Sequence, residues 1–111
     1  MPNAVYLNMA QFAKCAEMSE SCAERASAVC PDRRIPVYCR DTADKCAIVA
    51  EALRTNAPSL EQRLGECIRS CDRCADACAN SIHEFCRETA RRCRDCADLA
   101  RAYLAESRLI A

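Results

Sequence analysis

Twelve cysteines are spread along this chain: Cys15, Cys22, Cys30, Cys39, Cys46, Cys67, Cys71, Cys74, Cys78, Cys86, Cys93 and Cys96. Their spacing is that of helix faces. Cys67/Cys71 and Cys74/Cys78 stand four apart, Cys71/Cys74 and Cys93/Cys96 three apart, and both separations put two sulfurs on one side of a helix, a turn apart. Soft thiolates select Cu(I), zinc or iron–sulfur clusters. Cu(I) accepts two or three thiolates, so a continuous ladder of such pairs suits many Cu(I) ions, each thiolate bridging to the next.

Two other uses of the sulfur compete with this one. Cys71-x2-Cys74 and Cys93-x2-Cys96 fall within the spacing of a zinc site. Structural zinc sites, however, set four tetrahedral ligands on tight turns, and the remaining cysteines would go unexplained. The C-x2-C-x2-C spacing of iron–sulfur proteins is absent. Cys15-x6-Cys22 and Cys39-x6-Cys46 form a twin pattern that bridges Cys15–Cys46 and Cys22–Cys39 would staple. Against full pairing, the four cysteines from Cys67 to Cys78 outnumber what one facing helix can match within the roughly 7 Å Cα separation a bridge allows. A disulfide-stapled helical scaffold and a zinc or mixed-metal thiolate buffer are therefore the alternatives.

Composition narrows the class. Twelve cysteines in 111 residues is about 11%, above the roughly 8–10% that marks a cysteine-dominated chain. Seven Leu, five Ile, four Val and two Phe are few, and Ala and Cys supply most of the 51% hydrophobic fraction. Sixteen basic and sixteen acidic residues cancel, which argues against nucleic acid as a partner and against disorder driven by net charge. No apolar run approaches the roughly 20 residues of a membrane span, so no membrane role is expected. Met1 to Lys14 lacks a basic stretch followed by an apolar one, so a cytoplasmic location is expected. A cysteine-rich chain there uses thiols for metal or redox chemistry more than for structural bridges. No nucleophile–base constellation or glycine-rich phosphate loop is present, so no enzyme is expected.

The elements that must position the thiols are helices. One glycine and four prolines leave few turns for a many-stranded sheet. Pro31 and Pro36 bracket one connection, Asn56 with Pro58 marks a second, and Ser81, with Glu84 three residues on, reads as the cap of a last helix. These breaks predict helices over 4–28, 37–54, 59–79 and 82–106, rich in Ala, Arg and Glu. The predicted fold is all-α, an antiparallel up-down-up-down four-helix bundle with a cysteine-lined core, one domain over residues 1–111.

Core stripes alternate threes and fours, as bundle helices require. They run Phe12, Cys15, Ser19, Cys22, Ala26, Val29; then Cys39, Ala43, Cys46, Ala50, Leu53; then Leu60, Leu64, Cys67, Cys71, Cys74, Cys78; and last Cys86, Ala90, Cys93, Cys96, Ala100, Tyr103. Folding the chain at its links pairs Cys22 with Cys39 and Cys15 with Cys46, and likewise Cys78 with Cys86, Cys71 with Cys93 and Cys67 with Cys96. At about 1.5 Å per residue, layers of thiol extend roughly 20 Å from the end that carries the first and third links. Beyond them Phe12, Leu53, Leu60, Leu64, Leu99 and Tyr103 form an apolar plug. A thiol core packs less apolar volume than a leucine core, so the metal-free bundle is expected to be weakly stabilised.

Cys67-x3-Cys71-x2-Cys74-x3-Cys78, with Cys86 eight residues on and Cys93-x2-Cys96 closing, resembles the bacterial four-helix-bundle copper-storage proteins, over about Cys15 to Cys96. The resemblance implies a bundle with inward cysteines that holds many Cu(I) ions as thiolate clusters, open at one end for the ion and closed by apolar residues at the other. The first helix departs from the pattern, with Met18 between Cys15 and Cys22; Met18 reads as filler of a core gap, the alternative being a thioether ligand. Fewer cysteines imply a capacity on the order of ten ions if each thiolate is shared. His83, the one histidine, reads as an exposed residue or, on the resemblance, as a mouth ligand whose capture of metal would be proton-sensitive. Cys30, in the link, reads as a mouth thiol. Arg91, Arg92, Arg94 and the Asp32-Arg33-Arg34 run read as solvated faces; Tyr6, Met9 and Tyr38 as core or edge packing. Leu104, Leu109 and Ile110 read as a cap on the apolar end or as the contact of a homo-oligomer.

Overall fold

The computed structural model describes residues 6–110, and contains four helices in sequence: α1 (Met9–Val29), α2 (Arg34–Thr55), α3 (Leu60–Cys78) and α4 (Glu84–Ile110). Each helix packs on its two neighbours, α1 on α2, α2 on α3, α3 on α4 and α4 back on α1, and the diagonal pairs do not touch along their backbones. Links of a few residues make successive helices antiparallel, giving the expected up-down-up-down bundle, 48 × 23 × 18 Å in extent. The α1–α4 seam, which no link closes, is the least extensive of the four. Among the described residues no helix is long and apolar enough to cross a membrane.

Several boundaries differ from expectation, each for a local reason. Helix α1 begins later than residue 4, because the Asn8 side chain accepts from the Ala10 N–H at 2.9 Å and caps it at Met9; residues 4 and 5 lie outside the described residues. Helix α2 starts at Arg34 and so contains Pro36, which was expected to bound it. The first turn of a helix has no intrahelical use for its N–H groups, so proline fits there. Asp32 supports this start by accepting from the Arg34 backbone at 3.0 Å. Asn56 ends α2 in the left-handed region at φ 53°, ψ 44°, a conformation asparagine tolerates. The expected Ser81–Glu84 capping box does not form: Ser81 Oγ accepts from the His83 N–H at 3.1 Å, and α4 opens at Glu84, beneath the His83 carbonyl. It then runs on to Ile110.

The stripes are buried as expected at Phe12, Cys15, Ser19, Cys22, Ala26, Cys39, Ala43, Cys46, Leu64 and every cysteine of α3 and α4. Val29, by contrast, is exposed, as are Tyr6 and Met9, while Tyr38 lies half-buried under the Arg73 guanidinium, 5.2 Å from its ring centre. Leu104 packs against the core but Leu109 is 88% exposed, so it caps nothing here; the side chain of Ile110 lies outside the described residues. Phe12, Val49 and Leu64 are fully buried at the apolar end, and Leu53, Leu60, Leu99 and Tyr103 pack around them partly buried.

Two hydroxyls fix the α2–α3 seam at mid-height. Thr42 Oγ1 donates to the Ser70 carbonyl at 3.1 Å, and Ser70 Oγ donates to Asp41 Oδ2 at 2.6 Å. Across the outer surface Arg73 pairs with Asp41, Arg94 with Asp76 and Arg101 with Asp72. Exposed pairs of this kind contribute little singly, about 0–1 kcal/mol.

Candidate metal centre

All twelve cysteines are buried and all are free. The closest sulfur–sulfur approach is 3.5 Å, between Cys39 and Cys74, far beyond the roughly 2.05 Å of a disulfide bond. Nothing bridged corresponds to the stapled alternative.

The thiols enter the core because each helix carries its sulfurs at alternating steps of three and four, and the bundle turns that stripe inward. Three groups of three sulfurs result, each with its members within 4.8 Å of one another: Cys22, Cys39 and Cys78; Cys15, Cys71 and Cys93; Cys46, Cys67 and Cys71. The first lies toward the end that carries the α1–α2 and α3–α4 links, the mouth. Cys86 joins it at 3.8 Å from Cys22, and Cys30 follows at 3.9 Å from Cys86. Cys74 stands 3.5 Å from Cys39 and so leads inward. The two deeper groups share Cys71. Cys96 belongs to none of the three, though it is hydrogen-bonded to Cys15, and its thiol stands 3.6 Å from the Gln11 carbonyl.

The register expected from folding the chain is met at Cys22/Cys39 and Cys71/Cys93, which share triads. The shortest contacts between helices nonetheless run across the other two seams: Cys15–Cys93 at 3.9 Å and Cys22–Cys86 between α1 and α4, Cys39–Cys74 and Cys46–Cys67 at 3.6 Å between α2 and α3. Residue counting gives depth along the bundle; the direction in which each Cα–Cβ bond leans decides the partner at that depth.

The geometry can be tested against a soft ion. With metal–sulfur bonds of about 2.3 Å, an ion centred among three sulfurs needs them about 4.0 Å apart. The sulfur–sulfur contacts within these groups, 3.6 to 3.9 Å, are close to that. A tetrahedral ion needs a fourth donor at similar distance, and among the described residues each group has three members. Each group is thus an all-sulfur set of three, a soft donor set suited to a thiophilic metal ion.

The thiols are electrostatically unequal. Cys22 and Cys67 receive hydrogen bonds, first from Cys39 and Cys46 respectively, which hold them below the ordinary thiol value. Cys39, Cys71 and Cys93 are pushed above it by hydrogen bonding within the network, to Cys22, Cys15 and Cys15 first, and by burial. Burial pushes Cys86 to about 12. Within each cluster, therefore, the sulfur that receives its neighbours' S–H groups is the first to become thiolate.

His83 is half-buried at the mouth, its ring stacked on Phe85 with centroids 5.2 Å apart. It belongs to none of the sulfur groups. With Cys30, Asp32 and Asp76 it lines a cleft of about 420 Å³, and Arg33 ties the cleft's rim by donating to the Ser27 and Cys30 carbonyls at 3.2 and 3.3 Å. Met18 does not fill the core. It is half-buried on the α1–α4 seam, beside Cys22. The reading of the stripes missed Thr42, Val49, Ser70 and Thr89, all buried. Thr42 and Val49 each follow a core cysteine by three residues, and that spacing was the available signal.

Comparison with known proteins agrees with this arrangement. A family model described as "Copper storage protein" matches residues 3–105. An uncharacterized cysteine-rich protein, YhjQ, from Bacillus subtilis (strain 168) is 30% identical over 66 residues. That match covers 60% of this chain and 61% of the relative, so the chain accounts for less than two thirds of that protein's length. No solved structure matches.

Proposed function

The chain belongs to the copper storage protein family, and from that membership we propose that it stores Cu(I), many ions per chain, as thiolate-bridged clusters inside the bundle, in the cytoplasm and without catalysing a reaction. The observation that carries the proposal is the pair of deep triads joined at Cys71. A sulfur common to two triangles is placed to bridge two ions, and bridging lets twelve thiols hold on the order of ten ions.

The proposed ligands are Cys15, Cys22, Cys30, Cys39, Cys46, Cys67, Cys71, Cys74, Cys78, Cys86, Cys93 and Cys96, with His83 at the mouth. Each thiol gives up its proton as it takes an ion, so loading releases protons and is pH-dependent. Cys30 and His83 receive the ion in the cleft. Cys86, 3.9 Å from Cys30, passes it to the Cys22 triad, and Cys39 and Cys74 lead to the deep pair. The apolar plug of Phe12, Val49 and Leu64 closes the far end to water and to competing ligands.

The test is an anaerobic titration of fully reduced protein with Cu(I) against a chelator of known affinity, after counting free thiols. Close to twelve thiols and tight uptake of many ions per chain are expected. Uptake of only one or two ions, or preference for zinc over Cu(I) in competition, would overturn the proposal.

A further inference from the structure

Between α1 and α4, on the flank of the bundle beside the mouth, the surface carries a hollow of about 200 Å³. Met18 and Cys22 line it from α1; Phe85, Glu88 and Thr89 line it from α4, and the Arg25 guanidinium, 4.1 Å from the Phe85 ring centre, forms its upper edge. Met18 and Glu88 also border a second, adjoining hollow of about 370 Å³ that continues down the seam. Met18 and Cys22 are four apart on one helix, so their side chains share a face one turn apart. The seam is open because its stripe residues, Ser19 and Ala90, are small, and because the α1–α4 packing is the least extensive in the bundle. Directly behind it the sulfurs of Cys22 and Cys86 are 3.8 Å apart, and Cys22 is a member of the mouth-side triad.

We propose that this hollow is a second Cu(I) capture site, in which the thioether of Met18 and the thiol of Cys22 take the ion through the side of the bundle. It deepens the storage reading and rests on it. A thioether is a soft, neutral donor that needs no deprotonation, so Met18 can take hold of a carried ion whatever the protonation state of the thiols. Cys22 then completes the exchange. The bond from Cu(I) to the carrier's donor breaks as the bond to Cys22 Sγ forms, and any proton that sulfur carries leaves to water. Copper remains Cu(I) throughout. From Cys22 the ion has Cys39 and Cys78 within 4.8 Å, so one further exchange places it in the interior. Because the mouth is bypassed, loading does not depend on Cys30 or His83 alone.

Two measurements test this on the full chain. The first follows the methionine methyl signals by NMR during addition of the first equivalents of Cu(I), with Met18 assigned through Met18→Leu, a substitution close in volume that removes the sulfur. The second compares stopped-flow uptake from the Cu(I) bicinchoninate chelate in the wild type, in Cys30→Ser/His83→Ala, and in that double variant with Met18→Leu added; melting of each variant checks its fold. The Met18 methyl should shift with the first equivalents while Met9 does not. The double variant should still load, and adding Met18→Leu should slow it about tenfold. A static Met18 methyl, or a triple variant as fast as the double, overturns the side site; if wild-type capacity is intact, storage itself stands. A wild type that takes up no more than one or two ions overturns both.

Discussion

Cys71 is the thiol on which two of the three triads depend, and replacing it with serine gives the sharpest test. It belongs to two of the three sulfur triads, and a hydroxyl oxygen is a poor ligand for Cu(I). Cys71→Ser therefore leaves only the Cys22–Cys39–Cys78 triad whole. An ion that binds the folded state alone, free at a hundred times its dissociation constant, adds about 2.7 kcal/mol. Three occupied triads then add about 8 kcal/mol and one adds about 2.7 kcal/mol, a difference of about 5 kcal/mol. At about 4 °C per kcal/mol for a chain of this size, the rise in melting temperature on loading should shrink by about 20 °C. The metal-free protein should lose only about 1 kcal/mol, because the serine hydroxyl still finds neighbours in the network. Cys96→Ser is the control: it is equally buried but belongs to no triad. Paired melting of the metal-free and loaded forms, with stoichiometry by titration, reads the outcome. The reasoning is refuted if Cys71→Ser keeps the wild-type gain on loading, or if Cys96→Ser loses as much of it.

The buried thiols predict a pH effect on the metal-free form. Cys86, pushed by burial from an ordinary 9.0 to about 12, holds its proton longer in the fold than in the unfolded chain; a raised value is stabilising below about 9 and that stability is lost as pH climbs toward 12. The urea midpoint of the metal-free protein should hold to about pH 8 and fall above 9, whereas that of the loaded protein, its thiols already deprotonated, should not follow it; a metal-free midpoint flat to pH 11 would contradict the buried-thiol account. Thr42→Val removes the hydroxyl that donates to the Ser70 carbonyl and should cost about 1 kcal/mol in chemical denaturation with Cu(I) stoichiometry unchanged. Leu64→Ala opens a cavity in the apolar plug and should cost about 2–5 kcal/mol, unfolding much of the metal-free protein at room temperature by circular dichroism, with helix content restored on adding Cu(I).

The inward stripes were legible because cysteine at steps of three and four is both the helix signal and the chemical one. The same alternation that placed Cys67, Cys71, Cys74 and Cys78 on one face of α3 also placed their donors in contact. Less legible were features that depend on a single local bond. Pro36 reads as a break in sequence, yet one turn after the Asp32 side chain has organised the start of α2 it sits where proline costs nothing. Thr42 and Ser70 read as surface residues until α2 and α3 are packed, when Thr42 donates to the Ser70 carbonyl and Ser70 to Asp41. Met18 occupies the step between Cys15 and Cys22 where filler was expected, but α1 is rotated so that Ser19 points at Cys15 and Cys93 while Met18 faces the seam. One residue of rotation, about 100°, separates core from portal.

That rotation also explains why the sulfurs gather in threes. Four helices each giving one sulfur per layer would build squares, four donors to a layer. Here α3 carries four thiols while α1 and α2 carry two each within their helices. At the depth of Cys46, α3 therefore offers both Cys67 and Cys71, one turn apart, to a single sulfur of α2, and a triangle forms along the seam. On the α1–α4 side Ser19 and Ala90 leave the stripe without sulfur, and Cys15 across the bundle and Cys93 on the adjacent α4 meet the same Cys71. The uneven cysteine content that looked like a lower-capacity departure from the family pattern thus decides how the sulfurs are grouped. It makes triangles that share a vertex, and a shared vertex is what allows one thiolate to serve two ions.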